Sequence, residues 1–262
     1  MKPTDYLNQI LEKKKEEVSH LYDVLDFDIF LSQVNAIKHT PFLFSEMLTT
    51  TKLHLIAELK KASPSKGLIN PDFSPKALSK QYHQLGASCL SVLTEQHFFQ
   101  GHPDHIKAAK NTVPLPILRK DFIFDPIQVL EAKAIGANAI LIILAMVDQD
   151  TAQSLLTLAT EIGLDSLIET HNESEMERAL QLKGDALIGI NNRNLSTFNV
   201  DIQTALQLKQ KFQLQLKSKK VIAESGYTNQ EELSQLYQDG FSGVLIGEGL
   251  VTHPDMAQYW RV

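Results

Sequence analysis

Glu58 and Lys60 stand two residues apart at the end of an apolar run, "LHLIAELK". Alternate residues of a strand share a face. An acid and a base therefore leave one face together where the run ends. The same ending recurs along the chain: "PILRKD" carries Lys120, "SLIET" Glu169, "LIGINNR" Asn191 and Arg193, and "VIAES" Glu224 and Ser225. An ammonium group beside carboxylates is the equipment of general acid–base catalysis, in which one side chain gives a proton and another takes one. Repetition at five strand ends points to one shared polar site rather than to five separate meetings with solvent.

Two further runs end in small residues. "AESGY" offers Ser225 and Gly226, and "LIGEGL" offers Gly247 followed by Glu248. Glycines at turns are ordinary, and Gly-x-Gly alone says little. Loops after the last two strands of a parallel barrel nevertheless often cradle phosphate on backbone amides, and that reading is favoured here. Other chemistries lack their residues. His102 and His105 have no cysteine or HExxH context for zinc. "SPSKG" is no Walker loop, no GxGxxG follows a strand, and no GxSxG elbow occurs. No metal and no organic cofactor is expected.

Elements must carry these residues to one place. Eight short apolar runs read as buried parallel strands: Leu53–Lys60, Ser88–Thr94, Pro116–Asp121, Ala139–Leu144, Asp165–Glu169, Ala186–Asn191, Val221–Ser225 and Gly243–Gly247. Segments of helical spacing lie between them. In "PKALSKQYHQLG", Leu78, Tyr82 and Leu85 recur on one face and Gly86 suits the stop; Asn229 and Glu232 form an N-capping pair. Eight strand–helix units predict an α/β fold, a (β/α)8 barrel, with a doubly wound open sheet as the rival. All strand C-termini of such a barrel meet at one rim, where the charged ends would converge. Residues 1–48 read as a helical extension packed on the barrel, within a single domain of 1–262. Its first helix, "LNQILEKKKEEVSHLY", is amphipathic, and Lys13–Lys14–Lys15 reads as a solvated face. "DFDIFLSQV" reads as a second helix.

Composition bounds the rest. With 262 residues and 43% hydrophobic content, the chain can bury a sizeable core. A net charge of −6 argues against a broad nucleic-acid surface. The lone Cys89 reads as a small core residue, and the longest apolar run, Ala139 to Val147, is too short to span a bilayer. The charged N-terminus is no signal peptide. A cytoplasmic, soluble protein is expected, without membrane or nucleic-acid partners.

Taken together, "LEKKKEEV", "IAELKKASPSKGLI", "SVLTEQHFFQG", "LRKDFIFDPIQVLEAKAIGANAILIIL", "LIETHNESEMERAL", "IGINNRNLSTFNVD" and "IAESGY" resemble the indole-3-glycerol phosphate synthase family, in family order and over most of the chain. The resemblance implies a decarboxylating ring closure of an anthranilate-derived ribulose phosphate, by a monomer or weak homo-oligomer. It implies Lys120 as the general acid and Glu169 as its partner base. Lys60 would face the substrate carboxylate, its cation lowering the pKa of Lys120. Glu58 and Asn191 would orient the amine and hydroxyls, with Arg193 in support and Ser63 in a mobile first loop. Ser225, Gly226 and Gly247 would bind phosphate beside Glu224. Two positions depart from the family: Glu248 stands where some members have Ser, and Thr40 where an Arg is expected. Phosphoribosylanthranilate isomerase is the rival enzyme, but it wants a Cys at the end of the first strand. A catalytically inactive barrel serving as a scaffold is the rival of another class; it would need neither acid nor base.

Overall fold

The computed structural model describes residues 3–38, 40–195 and 197–260. Eight strands close into a parallel barrel: β1 (His54–Leu59), β2 (Cys89–Leu93), β3 (Ile117–Lys120), β4 (Ala139–Ile143), β5 (Asp165–Thr170), β6 (Leu187–Asn191), β7 (Val221–Glu224) and β8 (Gly243–Ile246). Each pairs with its neighbour in sequence, and β8 returns to β1. The open-sheet alternative is thereby excluded. Predicted strands and observed ones differ by at most one residue at either end.

These strands lack a polar alternation because both faces are buried. Every strand sends a residue into the barrel interior, Ile56, Cys89, Leu118, Leu141, Leu167, Leu187, Ile222 and Leu245, and β4 adds Ala139 and Ile143. Their neighbours, such as Leu55, Val92, Ile142, Ile190 and Val244, pack outward beneath the helices. Two residues beyond the interior layer, the same inward face carries Glu58, Lys120, Glu169, Gly189, Glu224 and Gly247 in β1, β3, β5, β6, β7 and β8 or just past their ends. The period of two thus turns an apolar floor into a polar cup.

Helices fill the crossovers: α4 (Pro75–Gln84), α5 (Asp104–Lys110), α6 (Pro126–Ile135), α7 (Gln149–Glu161), α8 (Glu173–Gln181), α9 (Gln203–Lys211) and α10 (Gln230–Gln238). Asp125 with Gln128 and Asn229 with Glu232 form capping boxes on α6 and α10. Beyond α4, Gly86 takes φ +87°, and a Cβ there would meet the Trp260 carbonyl at 2.7 Å. Only glycine suits both demands. A short α11 (Glu248–Thr252) and a 3₁₀ turn (Pro254–Trp260) end the described chain.

Three helices precede the barrel: α1 (Pro3–Val24), α2 (Phe27–Asn35) and α3 (Leu43–Glu46). Phe44 and Leu48 plug the N-terminal end of the barrel, where the Ser45 N–H donates to Asp165 (2.9 Å). Cys89 is buried against the Phe44 carbonyl (3.8 Å), and burial pushes its thiol up, as befits a core residue. At the opposite rim lies α1. Here one expectation fails. Lys13 and Lys15 are solvated, but Lys14 is 1% exposed and contacts Asp121 at 2.9 Å. Lys14 follows Ile10 by four residues, so it shares the inward face of α1. A buried carboxylate just after β3 gives its ammonium a partner there. Among the described residues no helix is long and apolar enough to cross a membrane.

Candidate active site

A cavity of about 770 Å³ opens at the C-terminal rim. Lys120, Glu169, Lys60, Glu58, Asn191, Ser63, Arg193, Glu224, Ser225, Gly226, Gly247 and Glu248 all line it. The structure therefore brings every sequence-predicted site residue together.

At the centre, the Lys120 ammonium donates to Glu169 (2.7 Å) and to Glu224 (3.1 Å). Lys60 pairs with Glu58 beside them. Two glycines make room for these carboxylates. A Cβ at Gly247 would come within 2.5 Å of a Glu58 oxygen, and one at Gly189 would strike Glu224. Asn191 accepts the backbone N–H of Arg193 (3.0 Å), and the Arg193 guanidinium donates to the Phe198 carbonyl (3.2 Å). Ser63 lies not in an open loop but in a small antiparallel ribbon, Ala62–Ser63 against Gly67–Leu68. From that ribbon's turn Lys66 reaches Glu248 (3.4 Å). Ser225 (φ +68°) and Gly226 (φ +96°) reverse the chain directly after β7.

The electrostatics correct a second expectation. Burial alone would depress the Lys120 pKa, but Glu169, Glu224 and Glu58 outweigh it and raise the pKa well above the ordinary lysine value. A neighbouring lysine does not govern this site; three carboxylates do. Glu169 is the mirror case. Burial opposes its charge, yet Lys120 and the nearby His171 hold it below the usual carboxylate range. Glu224 moves the other way, upward, through burial and then the like charge of Glu169. Two carboxyls that share one lysine are driven apart, Glu169 towards the carboxylate and Glu224 towards the acid.

Three contributors escaped the sequence reading. His171 lies 3.2 Å from Glu169 and 2.9 Å from Glu175. Its signal was present, because it follows Glu169 by two residues as Lys60 follows Glu58. Asn192 donates to the Ser225 carbonyl (2.9 Å) and the Tyr227 hydroxyl (3.0 Å), and its own carbonyl accepts from Ala205, which ties the β6 and β7 ends together. Glu95 accepts three successive N–H groups, from His97, Phe98 and Phe99. That loop puts Phe99 on an apolar wall of the cavity with Leu7, Ile10, Phe122 and Leu195.

A barrel whose rim holds a lysine among carboxylates, beside an apolar wall, defines a class: a (β/α)8 enzyme of proton-transfer chemistry. Residues 7–261 match the family described as indole-3-glycerol phosphate synthase. A relative of that name from Zymomonas mobilis subsp. pomaceae is 49% identical, over 80% of this chain and 78% of its own. Others from Chlorobium chlorochromatii (94% and 95% covered) and Rhodospirillum rubrum (98% of each) are both 42% identical. An N-acetylmannosamine-6-phosphate 2-epimerase from Clostridium perfringens shares the fold, with a TM-score of 0.61 at 16% identity over 85% of this chain and 97% of that one. The chain belongs to the indole-3-glycerol phosphate synthase family, and its activity is that of a carboxy-lyase in tryptophan biosynthesis.

Proposed function

We propose that Lys120 is the general acid and Glu169 the base of a ring closure on 1-(2-carboxyphenylamino)-1-deoxyribulose 5-phosphate. The observation that carries this is the Lys120 ammonium, held at the cavity floor between Glu169 and Glu224. The aromatic carbon bearing the carboxylate attacks the ketone. The ketone oxygen becomes an alkoxide, a stronger base than the carboxylates around Lys120, so it takes the lysine proton. The new C–C bond leaves an iminium system, which accepts the electron pair released as CO2 departs. Glu169 then removes a proton from the ring carbon beside nitrogen, the hydroxyl leaves as water with that proton, and the indole becomes aromatic. Products are indole-3-glycerol phosphate, CO2 and water.

The remaining residues divide the substrate among them. The aryl ring lies against Phe99, Phe122 and Leu195. Lys60 faces its carboxylate, an attraction that Glu58 tempers. Glu58, Asn191 and Glu224 orient the amine and hydroxyls, with Arg193 bracing the loop and Ser63 bordering the entrance. Ser225, Gly226 and Gly247 offer backbone approach to the phosphate. Lys66 offsets the Glu248 carboxylate, which stands where a hydroxyl would otherwise help. Nothing in the sequence of steps calls for a metal or an organic cofactor. The chain works as one 1–262 domain, a monomer or weak homo-oligomer in the cytoplasm, with no nucleic-acid or membrane partner; gel filtration at micromolar concentration reads its size.

Lys120→Ala is expected to lower kcat by about 10²–10⁴-fold with the circular dichroism spectrum unchanged. A variant that keeps most of its kcat removes Lys120 from the acid role. Inorganic phosphate is expected to compete with substrate, and a lack of competition would end the phosphate assignment.

A further inference from the structure

Behind the catalytic carboxylate lies a second charged pair. Glu169 turns one oxygen to Lys120 (2.7 Å), and its other oxygen faces His171 Nε2 at 3.2 Å. That contact is one of charge, without the alignment of a hydrogen bond. On the far side of the ring, Nδ1 lies 2.9 Å from Glu175. Glu175 is itself fixed: it accepts the backbone N–H of His171 (2.8 Å) and the Asn172 amide (2.7 Å) at the start of α8. Neither His171 nor Glu175 lines the cavity.

We propose that His171 is a positioning residue for this reaction: held by Glu175, its imidazolium orients Glu169 and keeps it a carboxylate until its proton-removal step. The proposal rests on the reading of Glu169 as the base. An imidazole with a carboxylate at each nitrogen is best served by a proton on both. Burial opposes that charge, but Glu169 and Glu175 together raise the ring to about 9. The other charged groups around the pair are accounted for. Lys120 and Glu224 face Glu169 from β3 and β7, and Glu58 acts on Lys120 from β1. Arg178, the cation of α8, is spent on the Leu144 and Val147 carbonyls. A histidine that only buttressed α8 would have no reason to meet the Glu169 oxygen turned away from Lys120.

The test compares pH–rate profiles of the wild type, His171→Asn, Glu175→Gln and Glu169→Gln. His171→Asn is expected to lower kcat about tenfold or more, to leave KM within about twofold, and to move the acid limb of kcat up by about one pH unit. That limb belongs to the coupled Glu169–Glu224 pair, so its movement reads the pair. Glu175→Gln should shift it in the same direction by less. An unmoved limb in both variants, whether or not kcat falls, overturns the proposal while an inactive Glu169→Gln leaves the base reading intact. An active Glu169→Gln sinks the base reading itself. Imidazole nitrogen NMR of the wild type serves if His171→Asn does not fold: both nitrogens of His171 should carry protons at pH 7.5, and a neutral ring overturns the proposal.

Discussion

Replacing Lys14 should unfold this protein far more readily than replacing either of its neighbours. Asp121 is fully buried, and besides Lys14 it accepts from Thr94 (2.6 Å), the Phe122 N–H (2.8 Å) and Arg119 (3.2 Å). Burial would push its carboxyl up, but Lys14 and Arg119 hold it down to about 2, so it is charged at any working pH. Lys14→Met keeps most of the stem and removes the ammonium. Breaking a buried pair costs about 3–5 kcal/mol. Arg119 still answers Asp121, so the low end applies, about 3 kcal/mol. At about 2–4 °C per kcal/mol for a chain of this size, Tm should fall by about 6–12 °C. Lys13 pairs with Glu16 at the surface (2.8 Å), and Lys13→Met should cost no more than about 0.5 kcal/mol. Urea titration followed by circular dichroism and tryptophan fluorescence reads both variants. Equal midpoints for the two would refute the reasoning, because the distinction rests on the buried Lys14 ammonium between Asp121 and Glu17.

Gly247→Ala should impair turnover as well as binding, since its Cβ would sit within 2.5 Å of a Glu58 oxygen at an unstrained backbone (φ −114°). A fall in kcat of about tenfold or more is expected, and a change confined to KM would mean that Glu58 yields without consequence. Acid should weaken the fold through His54, which bonds Ser88 (2.7 Å) and Thr49. Burial, then Lys52 and Lys220, lower its pKa to about 4, below the unfolded value of 6.5. The unfolded chain therefore binds the extra proton between these values; the contribution is complete above about 6.5 and is lost as pH falls towards 4. His54→Gln should flatten that part of the stability curve, and an unchanged slope would contradict the assignment. Dialysis against EDTA should leave activity intact, whereas a loss restored by a divalent ion would overturn the metal-free chemistry.

The barrel was legible because runs such as "AILIIL" have no polar residue to place in water, and only a sheet covered on both faces accommodates eight of them. The rim was legible where charge interrupted such a run, as at Glu58, Lys120 and Glu169. Lys14 was not, because a triplet of lysines on a helix looks alike from its own sequence. What separates the middle one is Asp121, a residue 107 positions away. The Lys120 pKa went astray for the same reason: its sign depends on which of several rim groups lie closest. Two carboxylates bond Lys120 directly, and Lys60 is answered by Glu58. His171 was legible by the same spacing, two residues after Glu169 as Lys60 follows Glu58, but its partner Glu175 comes from the next helix.

The division of labour between Lys120 and Glu169 is tested most directly by timing CO2 release against the growth of indole fluorescence in a single turnover. Lys120 acts at ring closure, before CO2 departs, and Glu169 acts after it. Glu169→Gln should therefore release CO2 while indole fails to appear, and Lys120→Ala should release neither at an appreciable rate. Release of CO2 by Lys120→Ala at the wild-type rate would contradict the account.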